Sequence, residues 1–129
     1  MNRLRVIILL LSIFLTTGIT AAASVITAPE HAVIVYFMYN DKNLNRLFAL
    51  EDRLETTILK AKVGELDGNE VAVGGGDARI YMYGPDAGRL YKVIESVLKS
   101  TPFMRGAKAQ LRYGPPGVGA REVIVEIIP

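Results

Sequence analysis

Residues 78–100, ARIYMYGPDAGRLYKVIESVLKS, constrain the chain more than any other stretch. Ile80 and Met82 alternate with Arg79, Tyr81 and Tyr83, the period of a strand with two unlike faces. Gly84-Pro85 breaks that strand, because proline has no N–H to give to a ladder. Beyond the break, Leu90, Val93, Ile94, Val97 and Leu98 recur at the spacing of one helix face, with Asp86 placed to cap the helix and Pro102 to end it. A strand that turns through a tight corner into an amphipathic helix needs a sheet to join and a core to cover.

The flanking segments supply both. His31–Tyr39, HAVIVYFMY, is apolar on both faces, which predicts a strand in the middle of a sheet. Asn40 and Asp41 offer an N-cap for a helix from about Lys42 to Lys62. Its apolar stripe is Leu47, Leu50, Leu54, Ile58 and Ala61, with Arg46, Glu51, Asp52, Arg53 and Glu55 expected in water, Lys60 and Lys62 in the last turn, and Gly64 closing it. Residues 65–73 begin with an Asp-Gly turn signal and become a short strand, which Gly74, Gly75 and Gly76 join to Arg79–Tyr83. Three glycines close a hairpin but are too short for a parallel crossover, which argues against a doubly wound parallel sheet. A strand over Ala107–Tyr113, the loop GPPGVGA and a last strand over Glu122–Ile127 complete the chain. The expected fold is α+β: a ferredoxin-like split βαβ sandwich, βαββαβ plus a C-terminal hairpin strand, with two helices on one face of an antiparallel sheet.

The N-terminus reads as an export signal. Arg3 and Arg5 precede the apolar run Val6–Leu15, and Ala21, Ala22 and Ala23 form an A-x-A cleavage site. The run is short for a membrane span of about 20 residues, so the expectation is a signal peptide over residues 1–23, a leader over 24–30, and one domain over 31–129. The alternative is an uncleaved anchor, which would be the chain's one membrane contact. The expected location is periplasmic or extracellular. Lys and Arg total 15 against 13 acidic residues, and both arginines of the signal leave with it, so the mature domain is balanced in charge. That balance removes the net-charge argument for nucleic acid. The absence of cysteine rules out disulfides and leaves stability to packing.

No residue pattern points to a cofactor, a metal site or a catalytic group. The glycines at 74–76 and in GPPGVG lead into strands, whereas a phosphate loop needs a helix after them. An anion at the second helix's N-terminus would compete with the carboxylate of Asp86. His31 is the sole histidine, too few for a zinc site without cysteine, and is expected to be a solvated strand end. Ser24, Ser96 and Ser100 have no placed base beside them. Glu65, Asp67, Glu70 and Asp77 cluster around the hairpin out of register with a calcium loop.

The candidate binding residues are Tyr36, Arg79, Tyr81, Tyr83, Arg112 and Tyr113. If Ile80 and Met82 face the helices, then Arg79, Tyr81 and Tyr83 face outward with Lys108, Gln110 and Arg112, and β-alternation adds either Ile34, Tyr36 and Met38 or the other apolar face of that strand. Such an open face calls for a cover, which makes the chain a non-catalytic binding or assembly module with a second copy or another protein as partner. The alternative is a small enzyme. Tyr83-Gly84-Pro85 and Tyr113-Gly114-Pro115 end two strands that flank His31 and Glu30, and a shared corner there would bring Tyr83, Tyr113 and His31 together as acid and base. Base stacking on the sheet, as in RNA-recognition modules, lacks both the charge and the strand motif. The stretches VGELDGNEVAVGGGDARIYMYGPDAGRLYKVI and RGAKAQLRYGPPG resemble small bacterial proteins of unknown function that carry a Tyr-Gly-Pro-Asp-Ala and an Arg-Tyr-Gly-Pro-Pro-Gly corner. The resemblance covers residues 32–127, implies one compact domain, and brings no catalytic residue with it.

Overall fold

The structure is a computed structural model that describes residues 30–117 and 119–129. The expected signal peptide and all of the leader except Glu30 lie outside the described residues. Strand β1 (His31–Tyr39) is followed by helix α1 (Asn45–Ala61), the hairpin β2 (Glu65–Val71) and β3 (Gly76–Gly84), helix α2 (Ala87–Lys99), a 3-10 turn over Pro102–Met104, and the hairpin β4 (Lys108–Tyr113) and β5 (Arg121–Glu126). The chain is therefore α+β, with one five-stranded antiparallel sheet in the order β2-β3-β1-β4-β5. Among the described residues no helix is long and apolar enough to cross a membrane.

β1 is central because both of its neighbours are needed to satisfy a strand with no polar face. Val33, Val35, Phe37 and Tyr39 point to the helices and are buried with Ala78, Ile80 and Met82 of β3 and Ala109 and Leu111 of β4. Helix α2 lies over β1, β3 and β4, and α1 lies over β2 and against α2. Each large aliphatic side chain in this layer contributes about 1.5–3 kcal/mol by leaving water. Helix α2 starts as its sequence dictates: the Asp86 side chain accepts the Arg89 N–H at 3.0 Å. Its inward face is rotated from the expected stripe, with Tyr91 buried and Val93 and Val97 only half-buried. The Tyr91 hydroxyl has no hydrogen-bond partner among the described residues, and burial pushes its phenol above the usual tyrosine range.

Helix α1 departs from expectation at three points. It begins at Asn45, because Asp41 accepts the Asn43 N–H and Asn43 accepts the Asn45 N–H, two successive side-chain turns that hold the chain out of the helix. Glu51 is buried, not solvated, and both of its carboxylate oxygens accept from Asn69 Nδ2 at 2.9 Å, which ties α1 to β2. The left-handed residue at the end is Lys62 (φ 53°), with Val63 N–H returning to Ile58 O.

The glycine after it has another task. Gly64 and Gly84 place their backbones in direct contact: a Cβ on Gly84 would strike Val63 O and stand 3.3 Å from Gly64 Cα, and a Cβ on Gly64 would strike Tyr83 O. The Asp-Gly pair at 67–68 makes no turn; the pairing of β2 with β3 shifts between Leu66 and Gly68, so it forms a bulge inside the strand.

Gly84→Ala should cost at least about 2 kcal/mol, since the methyl meets the Val63–Gly64 backbone and no rotamer relieves it. Urea unfolding of the two proteins measures the difference, and equal midpoints would mean that the corner is loose. Asn69→Leu should cost about 1–3 kcal/mol by leaving the Glu51 carboxylate unpaired. The double variant with Glu51→Gln should recover part of that loss.

Candidate functional site: the open sheet face

Opposite residues in an antiparallel ladder point to the same side of the sheet, so the strand register writes out the face away from the helices row by row. One row reads Glu70, Arg79, Tyr36, Lys108, Glu126 from β2 to β5. The middle row reads Gly68, Tyr81, Ile34, Gln110, Ile124. The third reads Glu65, Tyr83, Ala32, Arg112, Glu122. Glutamates occupy the four corners, Arg79, Lys108 and Arg112 stand one strand in, and the centre is apolar and aromatic. Met38, beyond the first row on β1, and Ile124, at the β5 end of the middle row, are 56% and 58% exposed.

Side chains on the face hold each other in place. Tyr36 donates its hydroxyl to Gln110 Oε1 at 2.8 Å, and the Arg79 guanidinium lies 5.3 Å from the centre of the Tyr36 ring. Tyr81 donates to Glu70 Oε2 at 2.7 Å, and Arg79 approaches the same carboxylate at 3.8 Å. Donation to Glu70 raises the Tyr81 phenol above the usual tyrosine range, because a phenolate could not make that bond and would repel the carboxylate; the Arg79 side chain pulls the other way. Arg112 donates Nε–H to Gly114 O at 2.9 Å and reaches Glu30 O at 3.5 Å, so it fastens the end of β4 to the entry of β1. Ala32, between Tyr83 and Arg112 in the register, is fully buried although it lies on the open face.

Five of the six candidate residues, Tyr36, Arg79, Tyr81, Tyr83 and Arg112, share this face. Tyr113 does not. Ala32 pairs with Tyr83 on one side and Arg112 on the other, so the two Tyr-Gly-Pro tripeptides are one residue out of step, and a one-residue offset turns a side chain to the opposite face. Tyr113 lies on the helix side, edge-on to His31 at 5.7 Å and against Gly88 of α2. The corners differ too: Gly114 has φ 153°, whereas Gly84 keeps a negative φ and serves close backbone approach. His31 is not a free strand end, for its Nδ1 accepts the Ala87 N–H at 3.2 Å and so helps cap α2. The trio Tyr83, Tyr113 and His31 is thus split by the sheet, with one tyrosine on each side and the imidazole Nδ1 engaged.

Ile34, Met38, Gln110, Ile124 and the corner glutamates complete the face. The alternation that picked out Tyr81 also runs through REVIVE of β5, and there it assigns Ile124 outward between Val123 and Val125. The pairing partners of Glu65 and Glu70 could not be found that way, because the bulge at Asp67 resets the alternation of β2. No protein-family model, curated protein or solved structure matches the chain.

Because the folded phenol is raised, the Tyr81–Glu70 bond stabilises the fold below the ordinary tyrosine range and that contribution is lost as pH rises through the folded value. Ultraviolet titration of the wild type against Tyr81→Phe isolates this phenol. Glu70→Gln should bring its transition to lower pH, and an unchanged transition would show that the bond is not held in solution.

Proposed function

We propose that the protein is an exported, non-catalytic binding module of ferredoxin-like fold that assembles as a homodimer through its open sheet face. The observation that carries this reading is the arrangement of the face: Tyr81, Ile34 and Gln110 in the middle, Met38 at the end of β1 and Ile124 on β5 more than half exposed, and a glutamate at each of the four corners. The strand order β2-β3-β1-β4 with β5 added at the edge supports the fold assignment, and the basic, apolar and A-x-A segments of residues 1–23 support export.

The charge pattern selects among ways of packing two copies. Two sheets that face each other with aligned strands put Glu70 over Glu126 or Glu65, and Lys108 over Arg79 or Arg112, so like charges meet. With strands about 4.8 Å apart and same-face residues about 6.7 Å apart, a crossing near 90° instead sets each corner glutamate over an inner position held by Arg79, Lys108, Arg112 or Tyr83. The crossed arrangement is the one we infer. Five strands of about six residues cover on the order of 1,000 Å² over both partners, the low end for specific interfaces, which fits a micromolar dimer better than a permanent one.

Sedimentation of the chain from Ser24 onward across concentration tests this. A dimer should appear and Met38→Lys with Ile124→Lys should weaken it at least tenfold, both side chains being exposed and outside the core. Glu122→Lys distinguishes the geometries: it should weaken a crossed dimer, where Glu122 meets an arginine, and strengthen an aligned one, where it meets a glutamate. A monomer at millimolar concentration would overturn the proposal.

A further inference from the structure

At the end of the sheet away from His31, β1 outruns one of its neighbours. Its pairing with β3 continues to Tyr39 and Gly76, but its pairing with β4 stops at Tyr36 and Lys108. The chain before β4 turns away through the 3-10 turn, and the gap is a cleft of about 910 Å³. Four cations line it, Arg46, Arg79, Arg105 and Lys108, against two carboxylates, Asp41 and Asp77. In a chain with 15 basic and 13 acidic residues that is a local excess, gathered from α1, β3, β4 and the turn after α2.

The cations are held and incompletely used. The Arg46 guanidinium lies 5.2 Å from the centre of the Phe103 ring, as Arg79 lies over Tyr36, and Phe103 is itself wedged 5.3 Å from Tyr39 and 6.0 Å from Phe37. Contact with a ring restrains each guanidinium, and although Arg79 also meets the Tyr81 hydroxyl, five N–H donors per arginine leave some for a ligand. Their ion pairs, 3.9 Å to Asp41 and 3.8 Å to Glu70, are too long to take up those donors as hydrogen bonds. Arg105 and Lys108 are exposed and have no carboxylate partner among the described residues. Met38 supplies bare apolar surface at the mouth.

We infer that this cleft binds a small organic dianion, a dicarboxylate or a phosphate monoester carried on an apolar or ring-shaped frame. Arg46 and Arg79 are paired with Asp41 and Glu70, and Arg105 and Lys108, which have no carboxylate partner among the described residues, offer two positive charges to a ligand. Planar guanidinium edges fit carboxylate and phosphate oxygens in pairs. The volume lies within the range of about 300–1,000 Å³ that small-molecule clefts occupy, too small for a folded partner. The site does not rest on the dimer: Arg46 and Arg105 lie off the open face, on α1 and after the 3-10 turn, so the two readings fail separately.

Calorimetric titration of the chain from Ser24 onward with isophthalate, phenyl phosphate and the neutral isophthalamide tests the inference. At least one dianion should bind in the millimolar range or tighter and weaken with salt, and isophthalamide should bind at least tenfold less well. Binding by both dianions, or by one of them, supports the site and in the second case names the acid group. Arg105→Ala and Arg46→Ala, both at exposed positions, should each lower affinity about tenfold, the effect of losing one charge-assisted pair, while the urea midpoint stays near that of the wild type. Equal binding of the diamide, no binding of either dianion at millimolar concentration, or full affinity in the double variant would overturn it. Loss of the dimer with ligand binding intact would sink only the assembly reading.

Discussion

The whole structure depends on β1 being apolar on both sides while only one of those sides is covered by helices. Nine residues without a polar face force a central position, and the antiparallel hairpins on either side then satisfy its backbone. The helix side closes into one core. The other side keeps Ile34, Tyr36 and Met38 in a row that only neighbouring side chains shield, and that incomplete shielding makes the face a candidate for recognition.

How the protein tolerates such a face is visible in its borders. Glutamate at all four corners gives a lone sheet charged edges, which discourages edge-to-edge pairing, while arginine and lysine one strand in keep the centre from reading as a plain apolar patch. Arg79 shows the economy of the arrangement: one guanidinium covers Tyr36, neutralises Glu70, and lines the cleft where β1 outruns β4. Assembly on the face and ligand capture at its end therefore share side chains, although each also uses residues the other does not.

Most elements were legible from local pattern. Asp86 caps α2, Ile80 and Met82 turn inward, and the glycine link makes a hairpin, because each depends on neighbours within a few residues. The misreadings have tertiary causes. Glu51 looked solvated on its helix, but β2 delivers Asn69 to it across the core. The Tyr-Gly-Pro repeat looked like one corner used twice, and a single residue of register on either side of Ala32 separates Tyr83 from Tyr113. His31 looked free, and the packing of α2 on the sheet brings the Ala87 N–H to its ring.

By itself the sequence determined which segments are strands and helices, which face of each is apolar, and that the strands run antiparallel. Periodicity and short links carry that information locally. Only the tertiary structure decided which polar groups meet: the rows of the open face, the split of the two tyrosines, and the cationic cleft at the end of β1. Those depend on strand register and on where β4 starts, which are set by the packing of residues 60 or more positions apart along the chain, such as Tyr36 with Gln110 and Arg112 with Glu30.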